Sequence, residues 1–124
     1  MENKKYFKQD KPFQVPTTDG KLIEEHLGLA TTQTPAYSIA HMVAPAPPHW
    51  SEPYQTPEFD EITILIRGRK VIEVEGEEIT LMPGETILVK KGTRVKYSNP
   101  LPEENEYWSV CVPAFDLETV NRED

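Results

Sequence analysis

The sequence predicts an all-β fold, a small antiparallel sandwich or barrel, and three observations carry that expectation. From Ala36 onward the chain breaks into short runs rich in β-branched and aromatic residues, namely AYSIAHMV, EITILIR, KVIEVE, EITLM, TILV, RVKYS and EYWSVCV. Gly68, Gly76, Gly84 and Gly92 then fall at a constant interval of 8 residues, one turn signal after each strand-length run. Finally, 124 residues leave room for one domain with one core.

Taken in order, residues 1–21 mix lysines, prolines and isolated aromatics without helical or strand periodicity, which reads as an extended arm, with residues 22–124 as the barrel. Tyr6 and Phe13 are its candidate anchors on the body or on a neighbouring subunit. The segment Leu22–Gly28 fits either a helical turn closed by glycine or a short strand. AYSIAHMV is the first strong strand, with Tyr37, Ile39, His41 and Val43 on one face, so His41 reads as a core or edge histidine and His26 as surface. Residues 44–60 hold 5 prolines, which block ladder hydrogen bonds, and mark a stiff loop or an interrupted edge strand. That stretch also concentrates His49, Trp50, Glu52, Tyr54 and Gln55, more hydrogen-bonding and aromatic chemistry than a connector needs, and is expected at the barrel mouth.

Composition narrows the function. Thirteen basic against 21 acidic residues give a net charge of −8, which argues against nucleic acid or anionic lipid as partner. The single Cys111 permits neither an internal disulfide nor a cysteine-built zinc site, and its apolar strand suggests a buried, inert thiol. The N-terminal stretch lacks an apolar signal core and no run is long enough to span a bilayer, so the expected compartment is the cytoplasm. No phosphate-cradling glycine motif occurs.

The run Glu61-Ile-Thr-Ile-Leu-Ile-Arg-Gly68 resembles the second half of the first cupin motif, and Gly84-Glu-Thr-Ile-Leu-Val-Lys-Lys-Gly92-Thr-Arg-Val95-Lys-Tyr-Ser-Asn99 resembles the second, with Lys90 where proline is usual. ThrThrAspGlyLys at 17–21 and ValProAlaPhe at 112–115 extend the likeness over nearly the whole chain. The resemblance implies a cupin barrel, a double-stranded β-helix or jelly roll, commonly paired as a homodimer. It also implies a mouth open to a small polar ligand. In metal-binding cupins two histidines precede the glutamate and a third lies in the second motif. Those positions read Tyr54, Thr56 and Val95, and only Glu61 survives, which leaves too few ligands for a transition metal. The string Phe59-Asp60-Glu61 without the histidine pair is similar to ethanolamine-utilisation-type cupins.

Alternation puts Thr63 and Leu65 on the face of Glu61, and Tyr97 and Asn99 on that of Val95. If Val95 points inward, Tyr97 faces Glu61. The expected catalytic set is therefore Glu61, Tyr97 and His49, a carboxylate with proton-transfer counterparts. The expected substrate-binding set is Tyr54, Gln55, Glu52, Trp50 and Arg94, with Arg94 also a candidate partner for the carboxylate. The chemistry that fits is metal-independent isomerisation, epimerisation or elimination on a carbohydrate-like or small oxygenated metabolite, with no cofactor. The alternatives are a non-catalytic binding or sensing module, and an atypical divalent metal centre in which Glu52, Glu58 or Tyr54 joins His49 and Glu61.

Overall fold

The computed structural model describes residues 5–46 and 50–123, with Trp50 and Ser51 described by their backbone alone. Among the described residues ten strands run in chain order: β1 Phe13–Gln14, β2 Leu22–Leu27, β3 Ser38–Ala44, β4 Trp50–Ser51, β5 Asp60–Arg67, β6 Lys70–Val74, β7 Glu77–Leu81, β8 Thr86–Val89, β9 Val95–Asn99 and β10 Asn105–Val112. A six-stranded sheet in the order β1-β2-β3-β10-β5-β8 faces a four-stranded sheet in the order β4-β9-β6-β7, and every strand pairing is antiparallel. This is a jelly roll. No helix among the described residues is long and apolar enough to cross a membrane.

The glycine interval is the punctuation of this layout. Gly68, Gly76, Gly84 and Gly92 close β5, β6, β7 and β8 in turn, each with positive φ. At the β6–β7 hairpin Glu75 joins Gly76 at positive φ (49° and 81°), the left-handed pair that matches the twist of a tight hairpin. Gly68 is held by space as well, because a Cβ there would lie 2.9 Å from the Asn105 Cβ and 3.0 Å from its Cα.

Alternation sorts each strand into a core face and an outer face. Leu65 from β5, Ile72 from β6, Val95 and Tyr97 from β9 and Tyr107 from β10 meet in the main cluster between the sheets. Phe59, Cys111 and Val120 form a second, smaller cluster with Phe115 against it. The segment left open between helix and strand is strand β2, paired with β3 through a register shift between Glu25 and Leu27.

Within residues 5–21, β1 pairs Phe13 with Glu25 and Gln14 with Glu24, the Val15 amide donates to the Ile23 carbonyl at 2.9 Å, and Lys21 is buried. Prolines at 12 and 16 hid this short pairing, since strand alternation needs more than two residues to show. His26 is half-buried instead of freely exposed, its ring 5.1 Å from that of Trp108 on the outer face of the sheet. The prolyl stretch is an interrupted edge: β4 pairs with β9, and Gln55 bridges both Val95 and Arg122.

Candidate functional site

Inward residues of both sheets leave a cavity of about 60 Å³ between them, room for roughly four to six waters at the 10–15 Å³ each needs. Its wall is laid down strand by strand: Glu61 and Thr63 from β5, Lys70 from β6, Tyr97 from β9, Tyr107 and Ser109 from β10. Lys21, Glu25, Ser38, Glu52, Gln55 and Arg122 complete the polar part.

Glu61 is central. Tyr97 donates its phenol to Oε1 at 3.2 Å and Ser109 its hydroxyl to Oε2 at 2.9 Å. Burial, ahead of the neighbouring Glu52 charge, pushes the Glu61 carboxyl above its ordinary range, while the Ser109 hydrogen bond and the charges of Lys21 and Lys70 pull it partly back. Burial likewise raises the Tyr97 and Tyr107 phenols well above their usual value, so both stay protonated donors. Lys70 is 1% exposed, and its Nζ lies 3.6 Å from the Tyr107 ring centre and 5.5 Å from that of Tyr97. Burial brings its ammonium down to about 7 against the pull of Glu52 and Glu61, with Lys21 adding to the fall. Lys21 and Glu52 form a buried, hydrogen-bonded ion pair, with Arg122 at 4.0 Å from the same carboxylate. Gln55 Oε1 is buried and has no hydrogen-bond partner among the described residues.

Of the expected site residues, Glu61, Tyr97, Glu52 and Gln55 come together on this wall. Tyr54 and Arg94 do not. The Tyr54 phenol donates to Glu73 at 2.9 Å on the outside of the barrel, where Arg94 stacks on its ring at 3.7 Å and forks onto Glu123 at 2.7 and 2.9 Å. The reason is local: Pro53 interrupts the edge, so Glu52 and Gln55 both turn inward and Tyr54 turns out, an order that simple alternation misses. Arg94 is therefore not the partner of Glu61. Glu58, a candidate for an atypical metal centre, is exposed and accepts from Asn121. His49 lies outside the described residues, as does the Trp50 side chain.

Lys70, Ser109 and Lys21 were not singled out by sequence. The available signal for Lys70 was a charge sharing a strand face with Ile72 and Val74, and for Ser109 a hydroxyl between Tyr107 and Cys111 on an inward face. Cys111 is buried, and that burial raises its thiol, in line with an inert role. His41 faces outward from β3, set between Glu24 at 3.0 Å and Glu106 at 2.6 Å, and takes no part in the cavity.

The donor set does not fit the histidine metal centre of the cupin fold. Val95 is fully buried and carries no donor atom, Tyr54 is committed to Glu73 outside the barrel, and no group of three His, Cys, Asp or Glu side chains gathers among the described residues.

Residues 51–116 match the family described as ethanolamine utilisation protein EutQ. The chain belongs to the EutQ family. The match takes in Glu61, Lys70, Tyr97 and Ser109 of the cavity wall. A Myxococcus xanthus protein named endoribonuclease YbeY is 49% identical over 109 residues, 88% of this chain, and the chain spans 36% of that protein's length. Among solved structures, the Clostridium difficile EutQ protein superposes with a TM-score of 0.60 at 22% identity over 79% of this chain and 69% of its own. KdgF from Halomonas sp. gives 0.69 at 17% identity over 84% and 88%. A Streptomyces PAC13 structure with uridine gives 0.72 at 13% identity over 98% and 92%. At these identities the structures establish the cupin fold.

Proposed function

We propose that this EutQ-family cupin binds a small oxygenated, carbohydrate-like metabolite in the cavity and moves a proton on it without a metal, as an isomerase, epimerase or lyase does. The observation that carries this reading is the Glu61 carboxyl, enclosed between the Tyr97 phenol and the Ser109 hydroxyl on the cavity wall. A carboxyl raised by burial takes a proton from carbon more readily than a solvated one, and a phenol held protonated beside it donates to a substrate oxygen in the same step. Glu52, paired with Lys21, and Gln55, with its open acceptor, would orient the ligand.

The test is Glu61→Gln, which keeps the shape and one acceptor oxygen but removes the titrating carboxyl. Turnover of the metabolite should fall by at least about a hundredfold, the usual scale for loss of a general acid or base, while the melting temperature still rises with ligand. Unchanged turnover in a folded variant would overturn the role of Glu61. A ligand that stabilises both proteins and is recovered unchanged would favour a binding or sensing module.

The ribonuclease activity in the Myxococcus protein's name finds no support in this pocket, whose volume is far below a nucleotide chain and whose surrounding protein carries a net charge of −8. A homodimer belongs to the same proposal. Ile64, Ile66 and Leu88 are exposed on the outer face of the six-stranded sheet, a surface suited to a second copy, and light scattering of Ile66→Glu should then show a monomer.

A further inference from the structure

We propose that Lys70 is an amine nucleophile that condenses with an aldehyde or ketone admitted to the cavity, so that the ligand class is a small hydroxy-carbonyl compound. This rests on the small-ligand reading above and names the chemistry of its substrate.

Three placements carry it. Lys70 opens β6 on the same inward face as Ile72, and its Nζ is seated against the Tyr107 ring at 3.6 Å, which fixes the amine at the cavity wall. Across the same space the Tyr97 ring lies 5.5 Å from that nitrogen, and its phenol is hydrogen-bonded to Glu61 at 3.2 Å, so amine, phenol and carboxyl border one small volume. Gln55 Oε1 is an acceptor with no partner among the described residues, buried at 3% exposure on that wall, and is suited to a ligand hydroxyl.

Condensation needs a neutral amine and a nearby group that both gives and takes protons. The nitrogen lone pair forms the N–C bond as the carbonyl π electrons move to oxygen, which takes a proton from Glu61. Nζ then returns a proton to the carboxylate, Glu61 passes it to the hydroxyl so that the C–O bond breaks and the oxygen leaves as water while the N=C bond forms, and the iminium nitrogen gives its remaining proton back to Glu61. Amine plus carbonyl gives imine plus water, with no change in oxidation state. Burial supports the first requirement, since it lowers the Lys70 ammonium to about 7 and leaves a large neutral fraction near neutral pH.

The experiment is trapping of the intact protein with glycolaldehyde and cyanoborohydride at neutral pH, followed by peptide mapping. A reduced adduct adds the mass of the aldehyde less one oxygen. Lys70 should be modified at least about tenfold faster than the exposed Lys5, Lys8 and Lys90, because the neutral amine is the form that attacks a carbonyl. In Lys70→Arg, shown to be folded by its circular dichroism and melting transition, the fast-forming adduct should vanish. Modification of the exposed lysines without Lys70 would overturn the inference. Should glycolaldehyde raise the melting temperature while leaving Lys70 unmodified, the amine role falls and the pocket reading survives. If Lys70 is trapped but Glu61→Gln turns over normally, the amine role stands and the Glu61 reading falls.

Discussion

Burial disfavours the charged forms of both Lys70 and Glu61, and their titrations should be visible in stability. The Lys70 pKa is about 7 in the folded chain against about 10.4 unfolded, so between those values the unfolded state binds more protons and stability rises with pH. Relative to Lys70→Met, the wild type should gain up to about 1.4 kcal/mol per pH unit in that window and nothing below it, as read from urea midpoints. A gap independent of pH would mean that the amine is solvated. Glu61 runs the other way. Its raised pKa means that the folded state holds the proton more tightly, so wild-type stability relative to Glu61→Gln should fall as pH rises from about 4.3 through the raised value and then level off. Glu61 and Tyr97 were legible because their strands resemble the two cupin motifs, whereas hydrophobicity alone would have turned Ile64 and Ile66 inward, and both are exposed. Lys70 was hidden because Val71 is apolar on the opposite face of β6, so neither face of KVIEV declares itself as the inner one. Tyr54 was misplaced for a related reason, since one proline suffices to invert the order of faces in an edge segment.

Between elements, the outer face of the six-stranded sheet has its own electrostatic clasp. His41 on β3 links Glu24 on β2 to Glu106 on β10, and Arg67 on β5 reaches the same Glu106 at 3.3 Å. Partial burial lowers the imidazolium, but the hydrogen bonds and charges of Glu106 and Glu24 outweigh it and leave the His41 pKa raised. For a raised histidine the stabilisation is complete below about 6.5 and lost as pH rises through the folded value, while Glu106, hydrogen-bonded to His41 and lowered, loses its share as pH falls into its own range. His41→Gln should therefore cost on the order of 1 kcal/mol between roughly pH 5 and 6 and close to nothing above pH 8, measured by thermal melts across that range. Gly68 belongs to this scale too. An alanine there takes a left-handed φ costing about 1–2 kcal/mol and meets the Asn105 backbone at 3.0 Å, so Gly68→Ala should lower stability by at least that much, whereas Gly84→Ala, with open space around it, should cost only the backbone strain. The glycine interval and the β-branched runs made these turns readable, but nothing in two residues between prolines announced β1.

For the molecule as a whole, the jelly roll was legible because it rests on many repeated local signals, each pointing to the same antiparallel plan. The cavity was legible only where an inward polar residue interrupts a clear strand. Residues that reach it from an irregular edge, or from the far sheet, are placed by tertiary packing that no single window of sequence contains. What unites the site is a carboxyl, a phenol and an amine on the wall of one small cavity, an arrangement suited to moving protons on a small hydroxy-carbonyl ligand. The most direct test is carbon-bound deuterium uptake, followed by NMR, for a panel of small hydroxy-aldehydes and hydroxy-ketones in deuterium oxide with wild type and Glu61→Gln. The expected result is exchange at the carbon beside the carbonyl of at least one compound, catalysed by wild type and reduced by about a hundredfold or more in the variant. A compound that stabilises the wild type on binding, yet exchanges no faster with it than with Glu61→Gln, would contradict proton transfer at this site.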